Sequence, residues 1–291
     1  PAGIEFAVNA AKRGHLVTIF EETAEIGGKL ISGGSPMIKF DIKNYVTYLK
    51  NQLAVAVEKY GVVCRFSTRA TIDELNGKFD AVIVATGTTD IVPPFEGLDK
   101  INYAMATDVL LDPSLVKDAK RISIIGGGVV GVETAYMLAY EQGKKVDVIE
   151  MADHFMVGAC TANRGHLLNY LRLNDDAKLY NGCRVERFEN GKVIAAKKTS
   201  KHLPDPYMTW TPLLPKNAEN PLEKSTGTDT TQISIDTDFV LLALGFKPNN
   251  QLYYQALSQR VAQEVFCIGD SYKPGKVLEA VRSAYALAMN I

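Results

Sequence analysis

At 291 residues the chain is long enough for two domains with separate cores. A hydrophobic share of 46%, a charged share of 22% and a formal net charge of -1 exclude a disordered tail or a charge-driven nucleic-acid binder. The longest apolar runs, such as "DAVIVATG" and "DFVLLALGF", fall short of the ~20 residues a membrane helix needs. Cys64, Cys160, Cys183 and Cys267 stand apart with no CxxC pair, which sets aside a thioredoxin-type dithiol and a zinc or iron-sulfur ligand set. The expectation is a cytoplasmic protein with free thiols, no metal, no membrane and no nucleic-acid partner.

The opening "PAGIEFAVNAAKRGHLVTIFEE" reads as a helix over about Ala2 to Arg13, a strand in "HLVTIFE", and an acidic strand end at Glu21. In "EIGGKLISGGSP", Gly27 and Gly28 permit close backbone approach to a ligand. "DIKNYVTYLKNQLAVAVEKYGV" follows as a helix over about Asp41 to Lys59, whose apolar residues at helical spacing read as core. "KFDAVIVATGTTDIVP" is a buried strand closing on Ala85, Thr86 and Gly87, and "PPFEG" a connection.

"RISII" then leads through Gly126, Gly128 and Gly131 into an alanine-rich helix over about Val130 to Glu141, and on to the strand "KVDVIE". This strand, glycine turn, helix, strand, acid order is that of a dinucleotide-binding βαβ unit, with Glu150 placed 19 residues after the third glycine. The first glycine permits the turn, the second admits the pyrophosphate, and the third lets helix and strand pack closely. Glu133, read as a first-turn residue of that helix, either approaches the nicotinamide or caps its own helix.

From about 198 to 235 the chain is polar, with Pro204, Pro206, Pro212, Pro215 and Pro221, and reads as an irregular excursion or long hairpin. "DFVLLALG", ending at Gly245, is a second buried strand of the "VIVATG" kind. "EVFCIGDSYKPGKVLEAVRSAYALAMNI" ends the chain as a strand, a Gly269-Asp270 turn and a helix starting near Lys276.

Two units therefore repeat. Gly3 aligns with Gly131, Glu5 with Glu133, Gly14 with Gly143 and Glu21 with Glu150. The first copy lacks the opening strand and the first two glycines, so the expectation is a fragment of a longer protein. A native protein of this same length, weighed intact, would contradict it.

Taken together, the two dinucleotide units, the "GGKL" loop, the "ATG"-like strand ends and "CIGDSYKPGKVLEAV" resemble the two-dinucleotide-binding-domain flavoproteins. The nearest likeness is to the C-terminal region of NADH:flavin oxidoreductases related to 2,4-dienoyl-CoA reductase, 2-enoate reductase and the bile-acid-inducible oxidoreductases. That resemblance implies an α/β fold of two Rossmann-like domains, the second inserted in the first. An FAD domain would take about 1 to 105 and 246 to 291, without its first strand, and an NAD(H) domain about 106 to 245. By the same resemblance Glu21 would hold the adenosine ribose of FAD, while Gly28, Lys29 and Leu30 would lie along that cofactor. Ala85, Thr86, Gly87 and Gly245 would close on the cofactors from strand ends. Asp270, after Gly269, would accept from a ribityl hydroxyl, and the helix after Lys276 and Val277 would point its positive end at the flavin. Glu150 favours NADH over NADPH, since a carboxylate suits two ribose hydroxyls and repels a 2'-phosphate.

No catalytic side chain is expected, because hydride delivery is the cofactors' chemistry. The implied partner is an N-terminal barrel domain, outside this chain, carrying FMN, an iron-sulfur cluster and the substrate site. The function implied is an NADH-to-FAD electron-input module. A non-catalytic ADP-binding module, as in trimethylamine dehydrogenase, and a free-standing NADH oxidase are the alternatives. Disulfide reductases of the same family carry a reactive cysteine pair that this sequence lacks.

Overall fold

A computed structural model describes residues 1–209 and 224–291. The chain divides into two compact units, and the first is discontinuous: it comprises Pro1–Gly34, Lys39–Thr89 and Phe246–Ile291, while the second comprises Ser35–Ile38 and Asp90–Gly245. The division falls at Thr89 and Asp90, earlier than the border near 105 expected from sequence, because the strand Tyr103–Met105 pairs with Phe239–Leu242 in the second unit's sheet.

In the first unit, parallel strands pair two by two: Thr18–Phe20 with Val63–Arg65, and Ala81–Val84 with Glu264–Cys267. The helix Ala2–Lys12 buries Ile4, Val8 and Ala11 against Leu49, Leu53 and Ala56 of the helix Phe40–Tyr60. That spacing of i, i+4 and i+7 is a single apolar stripe, and Gly61 in the left-handed region (φ 70°) ends the helix. On the neighbouring face, Ala2, Phe6 and Ala10 meet Ala280, Ala284 and Ala288 of the helix Val277–Asn290. Alanine at every fourth position lets the two backbones approach closely.

The second unit is built on a five-stranded parallel sheet, in the order Tyr103–Met105, Phe239–Leu242, Arg121–Ile125, Lys145–Ile149 and Ala177–Tyr180. Side chains alternate between two covers, as strand geometry requires. Ile122, Ile124, Val146, Val148 and Leu241 pack with Val132, Leu138, Leu167 and Leu171 of the helical layer. Ile125, Ile149, Val240 and Leu242 face Val185, Phe188, Val193 and Ile235 of a three-stranded antiparallel sheet. Its strands are Cys183–Glu189, Lys192–Lys198 and Thr230–Asp236. The first two are joined through Asn190 and Gly191, both at positive φ, the geometry of a tight hairpin turn.

Part of the expected proline-rich excursion is therefore regular. Lys192–Lys198 pairs antiparallel with Thr230–Asp236, in register from Lys192 opposite Asp236 to Lys198 opposite Thr230. Pro204 and Pro206 lie beyond that ladder, Pro206 in a turn, and Pro212, Pro215 and Pro221 lie outside the described residues. Among the described residues no helix is long and apolar enough to cross a membrane, and no group of three or more His, Cys, Asp or Glu could hold a metal ion.

Candidate functional site

Some of the residues singled out in the sequence directly follow parallel strands: Gly126 and Glu150 in the second unit, and Ala85 and the Ile268–Gly269 pair in the first. In the second unit, Arg121–Ile125 runs into Gly126 at φ 108°, and the turn is pinned from both sides. Gly126 N–H donates to Ile149 O at 2.9 Å, and Ala243 N–H donates to Ile125 O at 2.8 Å. A Cβ on Gly126 would lie 2.3 Å from Ala243 O, and one on Gly131 would lie 1.9 Å from Gly126 O. Gly127 has no room either, since its Cβ would meet the Phe155 ring at 2.2 Å.

Gly128 differs. It is the N-cap of the helix Val129–Tyr136 and has nothing within 4 Å of where a Cβ would stand. No N-cap side chain bonds the first N–H groups of this helix, and the space where a Gly128 side chain would project is open. Beyond Tyr136 the helix continues as one π-helical turn, Met137–Glu141.

Glu150 closes the other side of the turn. One carboxylate oxygen accepts from Gly127 N–H at 2.6 Å and the other from Ala152 N–H at 2.7 Å. A carboxylate has about four acceptor positions, so two remain for further donors. The segment after it is wedged beneath the turn: Phe155 and Met156 are fully buried, Met156 sits at φ 53°, and Met156 N–H donates to Gly127 O at 2.8 Å. This wedge was not evident from the sequence; the apolar pair in "MADHFM" was its one trace.

Of the two expectations for Glu133, capping of its own helix is overturned. The helix begins at Val129, which puts Glu133 on its second turn rather than its first, too far along to cap it. The side chain is buried, and accepts a hydrogen bond from Asn163 Nδ2 at 3.1 Å. Gly245, at φ 89°, accepts from Ile91 N–H through its carbonyl at 3.1 Å.

In the first unit the expected residues converge around the start of the helix Ala2–Lys12. A Cβ on Gly3 would lie 3.3 Å from Ala85 Cβ, and one on Gly269 would lie 2.7 Å from Ala2 Cβ. Register places Val84 opposite Cys267, so Ala85, Thr86 and Gly87 leave their strand beside Ile268, Gly269 and Asp270. Thr86 Oγ1 donates to Asn249 O, and Asn249 N–H donates to Gly87 O at 2.9 Å. Gly87 (φ 68°) and Gly28 (φ 54°) each have open space where a side chain would project.

Lys29 follows Gly28 and holds its ammonium 4.1 Å from the centroid of the Phe246 ring, while Leu30 turns inward to the core. Burial pushes the Asp270 carboxyl above its ordinary range, opposed by the Gly275 N–H that donates to it at 3.1 Å and by the nearby charge of Lys29. Glu21 accepts from Thr23 N–H at 2.9 Å and Thr23 Oγ1 at 2.7 Å, matching the backbone bond that Ala152 makes to Glu150. The helix near Lys276 begins at Val277, with Lys276 as its N-cap and Lys276 N–H donating to Glu279 Oε2 at 3.0 Å.

A parallel sheet whose central strand ends in a glycine turn, with a helix N-terminus on one side and a strand-end carboxylate on the other, defines a dinucleotide-binding fold. Residues 1–284 match the model of the pyridine nucleotide-disulphide oxidoreductase family, and the chain belongs to that family. It is 34% identical over 291 residues to a metal reductase of Desulforamulus reducens, covering 98% of this chain and 42% of that protein. It is 30% identical over 295 residues to a cinnamate reductase of Clostridium sporogenes, covering 100% of this chain and 38% of that protein. A solved 2-naphthoyl-CoA reductase–2-naphthoyl-CoA complex superposes with a TM-score of 0.79 at 26% identity, again over 100% of this chain and 38% of the other. The resemblance to enoate-reductase-type flavin oxidoreductases is met, and the chain spans about two fifths of the length of the relatives it matches.

Proposed function

We infer that this chain is the NADH-to-FAD electron-input module of a longer flavin oxidoreductase that reduces an unsaturated substrate. The observation that carries the reading is the contrast within the glycine turn: Gly126, Gly127 and Gly131 are closed by neighbouring atoms, while Gly128 faces open space at a helix N-terminus. Closed glycines are a packing requirement, but an open one at that position is what a pyrophosphate needs. The names of the cinnamate and 2-naphthoyl-CoA reductases support an unsaturated substrate.

When bound, the two cofactors supply the redox chemistry: reduced nicotinamide donates a hydride and the flavin accepts it. The chain's own residues bind and orient. The N–H groups beside Gly128 would meet the pyrophosphate of NADH, and the free acceptor positions of Glu150 its adenosine ribose. Glu21 would do the same for the adenosine of FAD. Gly28 and Gly87, which leave room at left-handed backbone positions, would let the main chain lie against the flavin nucleotide. Asp270 would accept from a ribityl hydroxyl, and the start of the fourteen-residue helix Val277–Asn290 would direct its positive end toward the flavin. The substrate site, and FMN and an iron-sulfur cluster with it, would belong to parts of the longer protein outside this chain.

The protein incubated with FAD and freed of excess should retain flavin. Retention should fall about tenfold in Asp270→Ala, as expected for a lost charge-assisted hydrogen bond. Retention of ADP without FAD would oppose the reading and favour a nucleotide-binding module.

A further inference from the structure

The loop after Glu150 carries no arginine or lysine of its own, yet the fold delivers a cation to it from far along the chain. Cys183 N–H donates to Glu150 O at 2.8 Å, Gly182 N–H donates to Ala152 O at 2.8 Å, and Lys198 N–H donates to Gly182 O at 2.9 Å. Three segments thus lie side by side at the end of the strand that presents Glu150, and Lys198 is the last residue of its own strand.

The Lys198 ammonium is already engaged. Nζ donates to Asp153 Oδ1 at 2.8 Å and to Thr226 Oγ1 at 3.0 Å, and Thr226 Oγ1 donates to the other Asp153 oxygen at 2.9 Å. Asn181 Nδ2 fixes the backbone of Asp153 by donating to its carbonyl at 2.8 Å. The Lys198 and Asp153 side chains are 29% and 25% exposed, so the pair is more desolvated than a surface ion pair but remains in contact with solvent.

NADPH differs from NADH by a 2'-phosphate on the adenosine ribose, and sites that accept it place a cation near the strand-end acid. We propose that Asp153 and Thr226 hold Lys198 back from the adenosine ribose, and that this clamp acts with the Glu150 carboxylate to set NADH over NADPH. A phosphate arriving there meets one carboxylate directly and a lysine whose charge is spent on a second. Release of the lysine from its clamp would supply the missing cation without any new residue. The inference rests on the nucleotide reading of the glycine turn.

The test is calorimetric binding of ADP-ribose and 2'-phospho-ADP-ribose, at low ionic strength so that exposed charge interactions are not screened. In Asp153→Ala the ratio of the two dissociation constants should shift about tenfold toward the 2'-phosphorylated ligand, the size of one charge-assisted contact. Asp153→Asn keeps an acceptor for Thr226 while removing the charge, and should shift the ratio in the same direction. Adding Lys198→Met to either variant should abolish the shift. A ratio unmoved in both single variants that still bind ADP-ribose, or a shift that survives Lys198→Met, overturns the clamp alone. Wild-type protein that binds neither ligand overturns the nucleotide reading and the clamp with it.

Discussion

Gly131→Ala should strongly destabilise the second unit, while Gly128→Ala should leave it folded and weaken its affinity for NADH. A Cβ at Gly131 would stand 1.9 Å from Gly126 O, a backbone atom that cannot move without undoing the turn. Overpacking a rigid site costs about 1–3 kcal/mol, and an overlap with backbone this deep belongs at or above the upper end. Against a domain stability of about 5–15 kcal/mol that is a large drop in melting temperature. Gly128, by contrast, has φ -70° and ψ -172°, an extended conformation open to any residue, and no neighbour within 4 Å. Alanine there costs about 1 kcal/mol or less as a poorer N-cap. Its methyl group would occupy the space a pyrophosphate needs, so NADH affinity should fall by about tenfold to a hundredfold. Thermal melts paired with NADH titrations separate the two. Equal melting of Gly131→Ala and wild type, or undiminished NADH binding by Gly128→Ala, would contradict the assignment.

Glu150→Ala should weaken NADH by a similar margin and also loosen the turn. The carboxylate satisfies Gly127 N–H and Ala152 N–H while facing the adenosine ribose in the proposed mode. Loss of one unscreened hydrogen bond to a charged group is worth about 1.5–3 kcal/mol, and water can replace part of it at a half-exposed residue. Glu150→Gln, which keeps a carbonyl acceptor, should fall between wild type and Glu150→Ala in both melting temperature and NADH affinity. If Glu150→Ala melts lower but binds NADH as well as wild type, the residue is a structural brace for the glycine turn and not a ribose ligand.

The parts of this molecule legible in the sequence are those set by near neighbours. The glycine turn, its helix and the acid at the next strand end fall within thirty residues, and each step follows from local geometry: Gly126 at positive φ, Gly131 under a carbonyl, Glu150 at the end of a buried strand. The continuous burial of "RISII" and "KVDVI" after their first residues likewise follows from their position as inner parallel strands covered on both faces. What escaped is made by distant segments. The strand Thr230–Asp236 buries only Ile235 and reads as polar, so its apolar signal was too weak to distinguish it from the loop beside it. The partner of Glu133 is Asn163, on a different helix, and the Asp153 clamp joins residues 45 and 73 positions apart. No spacing rule reaches such pairs, because the fold brings them together and the local sequence does not. Glu133 was read as a first-turn residue for a simpler reason: helix ends are the least determined feature of a sequence, and a start at Val129 rather than Val130 moves it from the fourth helical position to the fifth, just past the first turn.

The central claim is that electrons pass from NADH to a flavin held by this chain, and an anaerobic NADH titration of the FAD-loaded protein tests it most directly. The account predicts bleaching of the flavin absorbance that saturates at one NADH per bound flavin. Flavin that is retained while NADH binds, yet keeps its oxidised spectrum, would contradict it.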